Sequence, residues 1–313
     1  MSKTKKLEQL LADLACLRSD PTSEHAVVEL RKAVLGKDNY VAARAAEMAG
    51  EFYLQQLEPV LVQAFHRFMV NPVKVDPGCS AKTAIAEALY RMEAYQADLY
   101  LTGISHRQLE PVWGGQEDTA AMLRGVCALG LVRMNYENVM IPLAHLLADQ
   151  ESDARIAAAR AIGYSGLPEG IPLLRLKVLV GDRHPQVLCE CFNALIKLAP
   201  EPSLAFVAGF MQQEDTAVVE AAALALGESQ LSQAFPFLES AWEASFDRET
   251  RKTYLMAIAL LRNEDALAYL EELIVHGPRA HAVDALEALS LYKEEPRIWS
   301  RVESALKRRD TPL

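Results

Sequence analysis

Five cysteines and seven histidines are the residues of this chain with the most chemistry available to them. Cys16, Cys79, Cys127, Cys189 and Cys191 are odd in number and lack a framework spacing, which argues for reduced thiols and a cytoplasmic setting. Cys79 follows Pro77-Gly78 at the expected start of a helix, where the dipole would lower its pKa, so it is the best placed nucleophile. Cys127 lies inside a helical pattern between Val126 and Ala128 and reads as a small buried hydrophobe. Cys189 and Cys191 are two apart on a helix, which turns them about 200° from each other and prevents shared chelation. His25 and Glu29 fall on one helical face, but two ligands do not make a metal site. The run Gly78-Cys79-Ser80-Ala81-Lys82-Thr83 ends like a phosphate loop, yet it has neither the preceding strand nor the Gly directly before Lys that would wrap an anion. No catalytic residue, metal or cofactor is expected from these patterns.

The elements that carry these residues are helices. The stretch Asp153 to Gly163 sets a turn-favouring acid before an Arg, then an Ala-rich apolar run, then a Gly where a helix would stop. The same grammar recurs from Thr216 to Gly227 and from Asp118 to Gly130. Aligning the helix-ending positions Gly50, Tyr90, Gly130, Gly163, Ile196, Gly227, Ala259 and Ser290 gives intervals of 40, 40, 33, 33, 31, 32 and 31 residues. That is the period of a paired-helix repeat, and eight units fit. Residues 1–37 read as an N-terminal cap of two amphipathic helices: Leu7, Leu10, Leu11, Leu14 and Leu17 form one stripe, the second follows the turn Ser19 to Ser23, and 38–313 form the repeats. Stacked units share one core, so the 313 residues are expected to be a single all-α domain.

Composition excludes several partners. With 32 Lys plus Arg against 42 Asp plus Glu, the net charge of −10 has the wrong sign for phosphate neutralisation, so nucleic acid is disfavoured. Basic residues gather only at the ends, Lys3, Lys5 and Lys6, and Lys307, Arg308 and Arg309, and read as solvated. The opening residues Met1 to Lys6 are polar, unlike a secretory leader, and no run approaches the roughly 18 apolar residues of a membrane helix.

The run Ile141-Pro142-Leu143 to Leu147, Asp149, then Arg155, Ala158 and Ile162-Gly163 resembles a HEAT repeat. The compact 31 to 33 residue units are similar to the HEAT-like subclass of phycobilisome lyases and many bacterial proteins. The resemblance implies a right-handed α-solenoid whose second helices line a concave surface. It also implies a scaffold without fixed chemistry. The iron hydroxylase built of such repeats uses His-Glu dipeptides as ligands; here the histidines precede Ala, Arg, Arg, Leu, Pro, Gly and Ala, so that activity is not expected. The HEAT-like DNA glycosylases need a basic groove, which the net charge opposes.

Two stretches break the period, residues 69–79 and 105–118. Insertions in a solenoid sit on one edge and often carry its binding function, and consecutive ones should be neighbours in space. The second holds Trp113-Gly114-Gly115, a flat apolar surface in a Gly-rich connection, with His106, Arg107, Gln116 and Asp118 around it. A concave face sketched from the Ala-rich helices includes Leu123, Cys127, Ile156 and Arg160, with Arg124 just beside it; the apolar members are either core or an apolar strip for a partner. The expected function is a non-enzymatic protein-interaction scaffold, binding a protein through this face and the 105–118 loop. The expected contacts are His106, Arg107, Trp113, Gly114, Gly115, Gln116, Arg124, Ile156 and Arg160. The alternative is a bilin lyase or chaperone-lyase-like subunit, which would need an apolar pocket with a few polar groups.

Overall fold

The computed structural model describes residues 3–311 and 313, and for Lys3, Thr4 and Lys6 the backbone only. The reading of Met1 and Ser2 as polar opening residues unlike a secretory leader, and of Lys3 and Lys6 as solvated charges, therefore lies outside the described side chains. The chain divides into two compact units, Met1–Ser165 and Gly166–Leu313.

In the first unit the helices are α1 (Lys3–Cys16), α2 (Glu24–Leu35), α3 (Asn39–Glu51), α4 (Glu58–Phe68), a single turn α5 (Pro72–Val75), α6 (Ser80–Arg91), α7 (Ala97–Ile104), α8 (Ala121–Arg133), α9 (Met140–Leu147) and α10 (Ser152–Ser165). Between α7 and α8 stands an antiparallel hairpin of β1 (Leu109–Val112) and β2 (Gly115–Asp118). Among its described residues the second unit has helices and no strand: α11 (Gly170–Val180), α12 (Pro185–Leu198), α13 (Pro200–Ala208), α14 (Thr216–Glu228), α15 (Phe235–Ala244), α16 (Arg248–Leu261), α17 (Glu264–His276), α18 (Arg279–Leu289) and α19 (Pro296–Arg308). The all-α class is thus observed, with one small hairpin that the helical periodicity did not foresee. No helix among the described residues is long and apolar enough to cross a membrane.

Repetition is visible in the packing. In the first unit α3, α6, α8 and α10 stack in a row, and in the second α12, α14, α16 and α18 do the same, each row backed by the helices that alternate with it. Alanines make the rows close: Ala42, Ala45, Ala46 and Ala49 of α3 and Ala81, Ala86 and Ala88 of α6 are all inaccessible or nearly so. The span read as a cap holds the helices α1 and α2, α2 started by Ser23, whose hydroxyl accepts the Ala26 N–H at 3.3 Å.

The helix-ending role expected of Gly50, Gly130, Gly163 and Gly227 is corrected. Each lies inside its helix, which runs on beyond it, and none has the positive φ of a left-handed cap. Gly50 and Gly227 serve close approach between helices: a Cβ at Gly50 would come within 2.8 Å of the Ala88 Cα, and one at Gly227 would strike the backbone of Ala257 in the next helix of the row. At the C-terminal end, Arg309 is not a free charge either. Its guanidinium donates to the carbonyls of Ile274 (2.7 Å) and Gly277 (3.0 Å), closing the last turn of α17.

Candidate functional site

The two insertions meet, and a buried polar cluster joins them. After α5 the chain turns sharply through Gly78 (φ 72°) and Cys79 (φ 55°) and enters α6. Asp76 sits under this turn with no solvent exposure. One of its carboxylate oxygens accepts the Ala81 N–H (2.9 Å), and the other accepts the Lys82 N–H (3.1 Å) and the Lys82 ammonium (2.8 Å). The hairpin fastens to the same turn. The Gln108 side-chain amide donates to the Asp76 carbonyl at 2.8 Å and to Glu110 at 2.6 Å, while the Gly78 N–H and the Thr119 hydroxyl donate to Glu110 at 2.7 and 2.9 Å.

The far end of the hairpin base is held from below. Asp118 closes β2, accepts the N–H groups of Gln108 and Ala120 at 3.0 Å each, and takes the Arg124 guanidinium at 2.8 Å. Arg124 also reaches Asp149 at 3.0 Å and the His106 carbonyl at 2.9 Å. Arg107 adds a second contact to Asp149 at 3.1 Å, and Arg155 donates to the Asp149 carbonyl at 2.9 Å. These pairs share a spacing: Asp76 and Lys82, Asp118 and Arg124, Asp149 and Arg155 are each six residues apart, an acid in the turn before a helix and a cation inside its first turns. Sequence reasoning missed this ladder although the spacing was present to be read.

The electrostatics follow from the donors. Burial alone would raise the Asp118 pKa, but the N–H groups of Gln108 and Ala120 and the Arg124 charge outweigh it and hold the carboxyl below its ordinary value. Glu110 is held down in the same way, burial opposing and Gln108, Gly78 and Thr119 prevailing. Burial keeps His106 below its ordinary pKa, against the hydrogen bond that its ring makes with Gln108 at 3.2 Å. Cys79 departs from expectation. It is inaccessible, and burial pushes its thiol up to about 11, the opposite of an activated nucleophile. Burial raises Cys127, Cys189 and Cys191 as well, the last two to about 12.

What this base presents is Trp113. The residue occupies the hairpin tip with 104% relative exposure, and Gly114 beside it takes φ 91°, a conformation that glycine adopts without a Cβ penalty. Leu109 (55%) and Val112 (46%) extend the apolar surface along β1, and Gly115 and Gln116 are exposed on β2. Among the expected contacts, Trp113, Gly114, Gly115 and Gln116 lie at the hairpin's tip, whereas the exposed Arg107, paired with Asp149, and the half-buried His106 lie at its base. Arg124 is placed differently. At 1% exposure with its guanidinium bound to two carboxylates and a carbonyl, it supports the hairpin from inside instead of facing a partner. Ile156 is half-buried and Arg160 exposed, both on α10, while Leu123 and Cys127 have no exposure and belong to the core. Among the described residues, no three His, Cys, Asp or Glu side chains gather as a metal site would require.

No protein-family model and no curated protein matches this chain. Solved structures do resemble it. The complex of CpcE and CpcF of phycocyanin lyase from Nostoc sp. PCC7120 is 14% identical, covers 84% of this chain and 92% of that one, and aligns with a TM-score of 0.42. Human deoxyhypusine hydroxylase in complex with glycerol is 15% identical over 92% of this chain and 91% of its own, with a TM-score of 0.31. An engineered protein is 15% identical over 88% and 96%, with a TM-score of 0.24. At these scores the description of the fold rests on the helix rows themselves.

Proposed function

We propose that the chain is a HEAT-like protein-interaction scaffold whose recognition element is the hairpin at residues 109–118. The observation that carries this reading is the contrast between the tip and the base of that hairpin: a fully exposed Trp113 stands on a foot fixed by Gln108, Glu110, Asp118 and the buried Arg124. Exposed tryptophan is a common anchor of protein interfaces, because one rigid side chain buries a large area in a partner's pocket. A foot anchored at both ends removes much of the ordering cost of binding. The partner is a protein offering an apolar pocket, and the exposed Gln116 supplies a polar contact at the rim.

The test compares wild type and Trp113→Ala as baits in extract from the native cell. A protein retained by the first and lost by the folded second supports the reading, and equal retention contradicts it. The lyase alternative is separated by absorbance: a spectral shift on adding a bilin, with or without a phycobiliprotein subunit, would replace the scaffold reading.

A further inference from the structure

Helices α13 to α16 of the second unit, with the turn Gly209–Gln212 between the first two, enclose a cleft of about 750 Å³. Its floor is apolar. Met211, Val219 and Tyr254 are buried there, and the Tyr254 hydroxyl already donates to the Met211 carbonyl at 3.3 Å. The cleft opens to solvent between Gln212, Gln213, Phe237 and Ser240, all of them exposed. Among the described residues, the side chains of Gln212, Gln213 and Ser240 have no hydrogen-bond partner. An open concavity of this size, apolar below with a few polar groups above, is the usual form of a small-molecule site.

Charge decides which kind of molecule fits. None of the lining residues is charged, in a chain of which 24% is Asp, Glu, Lys or Arg. Phe237, Ser240, Ala241 and Ala244 follow helical spacing along the face of α15 that lines the cleft, and Glu239 and Glu243 fall outside that face. Helices α14 and α16 both begin at the cleft, through Thr216 and Thr250, and a bare helix start would draw an anion. Both starts carry their own carboxylate: Asp215 accepts the Ala217 N–H at 3.0 Å, and Asp247 accepts the Thr250 N–H and hydroxyl at 2.8 Å each. An ion of either sign would lose its hydration here without meeting a counter-charge. We infer that the cleft binds an uncharged small molecule, its apolar body over Met211, Val219 and Phe237 and its amide or hydroxyl groups against Gln212, Gln213 and Ser240. The site lies in the second unit and does not depend on the hairpin reading.

The test titrates the full chain with Nile red, an uncharged dye that fluoresces in apolar surroundings, and separately with the anionic anilinonaphthalene sulfonate. Saturable binding of Nile red is expected, about tenfold weaker in Ala244→Phe, which sets a ring in the mouth from an exposed position on α15. Ala205→Phe, exposed on α13, narrows the cleft from the other side and gives a second reading if the first variant fails to fold, with weakened binding expected there too. The sulfonate dye bound as tightly as Nile red, and weakened by the same substitutions, overturns the assignment to an uncharged ligand. No saturation by Nile red, or saturation unchanged in Ala244→Phe and Ala205→Phe, overturns the site itself.

Discussion

Trp113 and Arg124 belong to one device and should respond to truncation in opposite ways. Trp113 is fully exposed, so Trp113→Ala is expected to shift the melting temperature by no more than about 1–2 °C. Arg124 bridges Asp118 and Asp149 at 1% exposure, and its removal takes the guanidinium from the buried Asp118 and leaves Asp149 with Arg107; Arg124→Ala is expected to cost about 3–5 kcal/mol in urea unfolding. Acid should loosen the same foot. Asp118 and Glu110 have folded pKa values below their ordinary ones, so their contribution is present above the ordinary carboxylate range and is lost as pH falls through the depressed values. The melting temperature should therefore drop between about pH 5 and pH 2, and drop less in Glu110→Gln or Asp118→Asn, as thermal denaturation across that range would show. Cys79 shows how little of this the sequence revealed at single residues. Its place before α6 suggested a helix dipole, but burial dominates, and burial of one side chain is a property of the packed turn and not of its neighbours in sequence.

Helix rows place tight limits on what their crossing points accept. A methyl group at Gly50 or Gly227 has no room beside the neighbouring helix, so Gly50→Ala and Gly227→Ala are each expected to destabilise by about 1–3 kcal/mol in chemical denaturation, despite the better helix propensity of alanine. The helices of residues 1–37, the repeat period and the meeting of the two insertions could be read from residue types, because apolar spacing and length depend only on local order. The glycines were misread because a helix stop and a close crossing both select the same residue; only the helix packed against it distinguishes them. The hairpin escaped for another reason. Its strands have four residues each, with Pro111 in one and Glu117 and Asp118 in the other, so no hydrophobic alternation marks them. The Trp113-Gly114-Gly115 turn was the one signal available. The six-residue acid-to-cation spacing of the ladder was equally legible and would have placed Arg124 inside.

Over the whole chain, the net charge of −10 sets the partners that long-range attraction can bring. Duplex DNA of arbitrary sequence is expected to show no retained complex in a mobility-shift assay at about 150 mM salt, and retention would put the charge argument in doubt. The proposed scaffold role rests on the hairpin, which combines an exposed tip with a rigid support. The most direct test is cross-linking mass spectrometry from the native cell with a photoreactive tryptophan analogue in place of Trp113. One partner protein cross-linked at that position, and displaced by excess unlabelled wild type but not by Trp113→Ala, is the predicted result. Cross-links that are diffuse, or that Trp113→Ala displaces as well as wild type, would contradict the account and leave the hairpin without a recognition role.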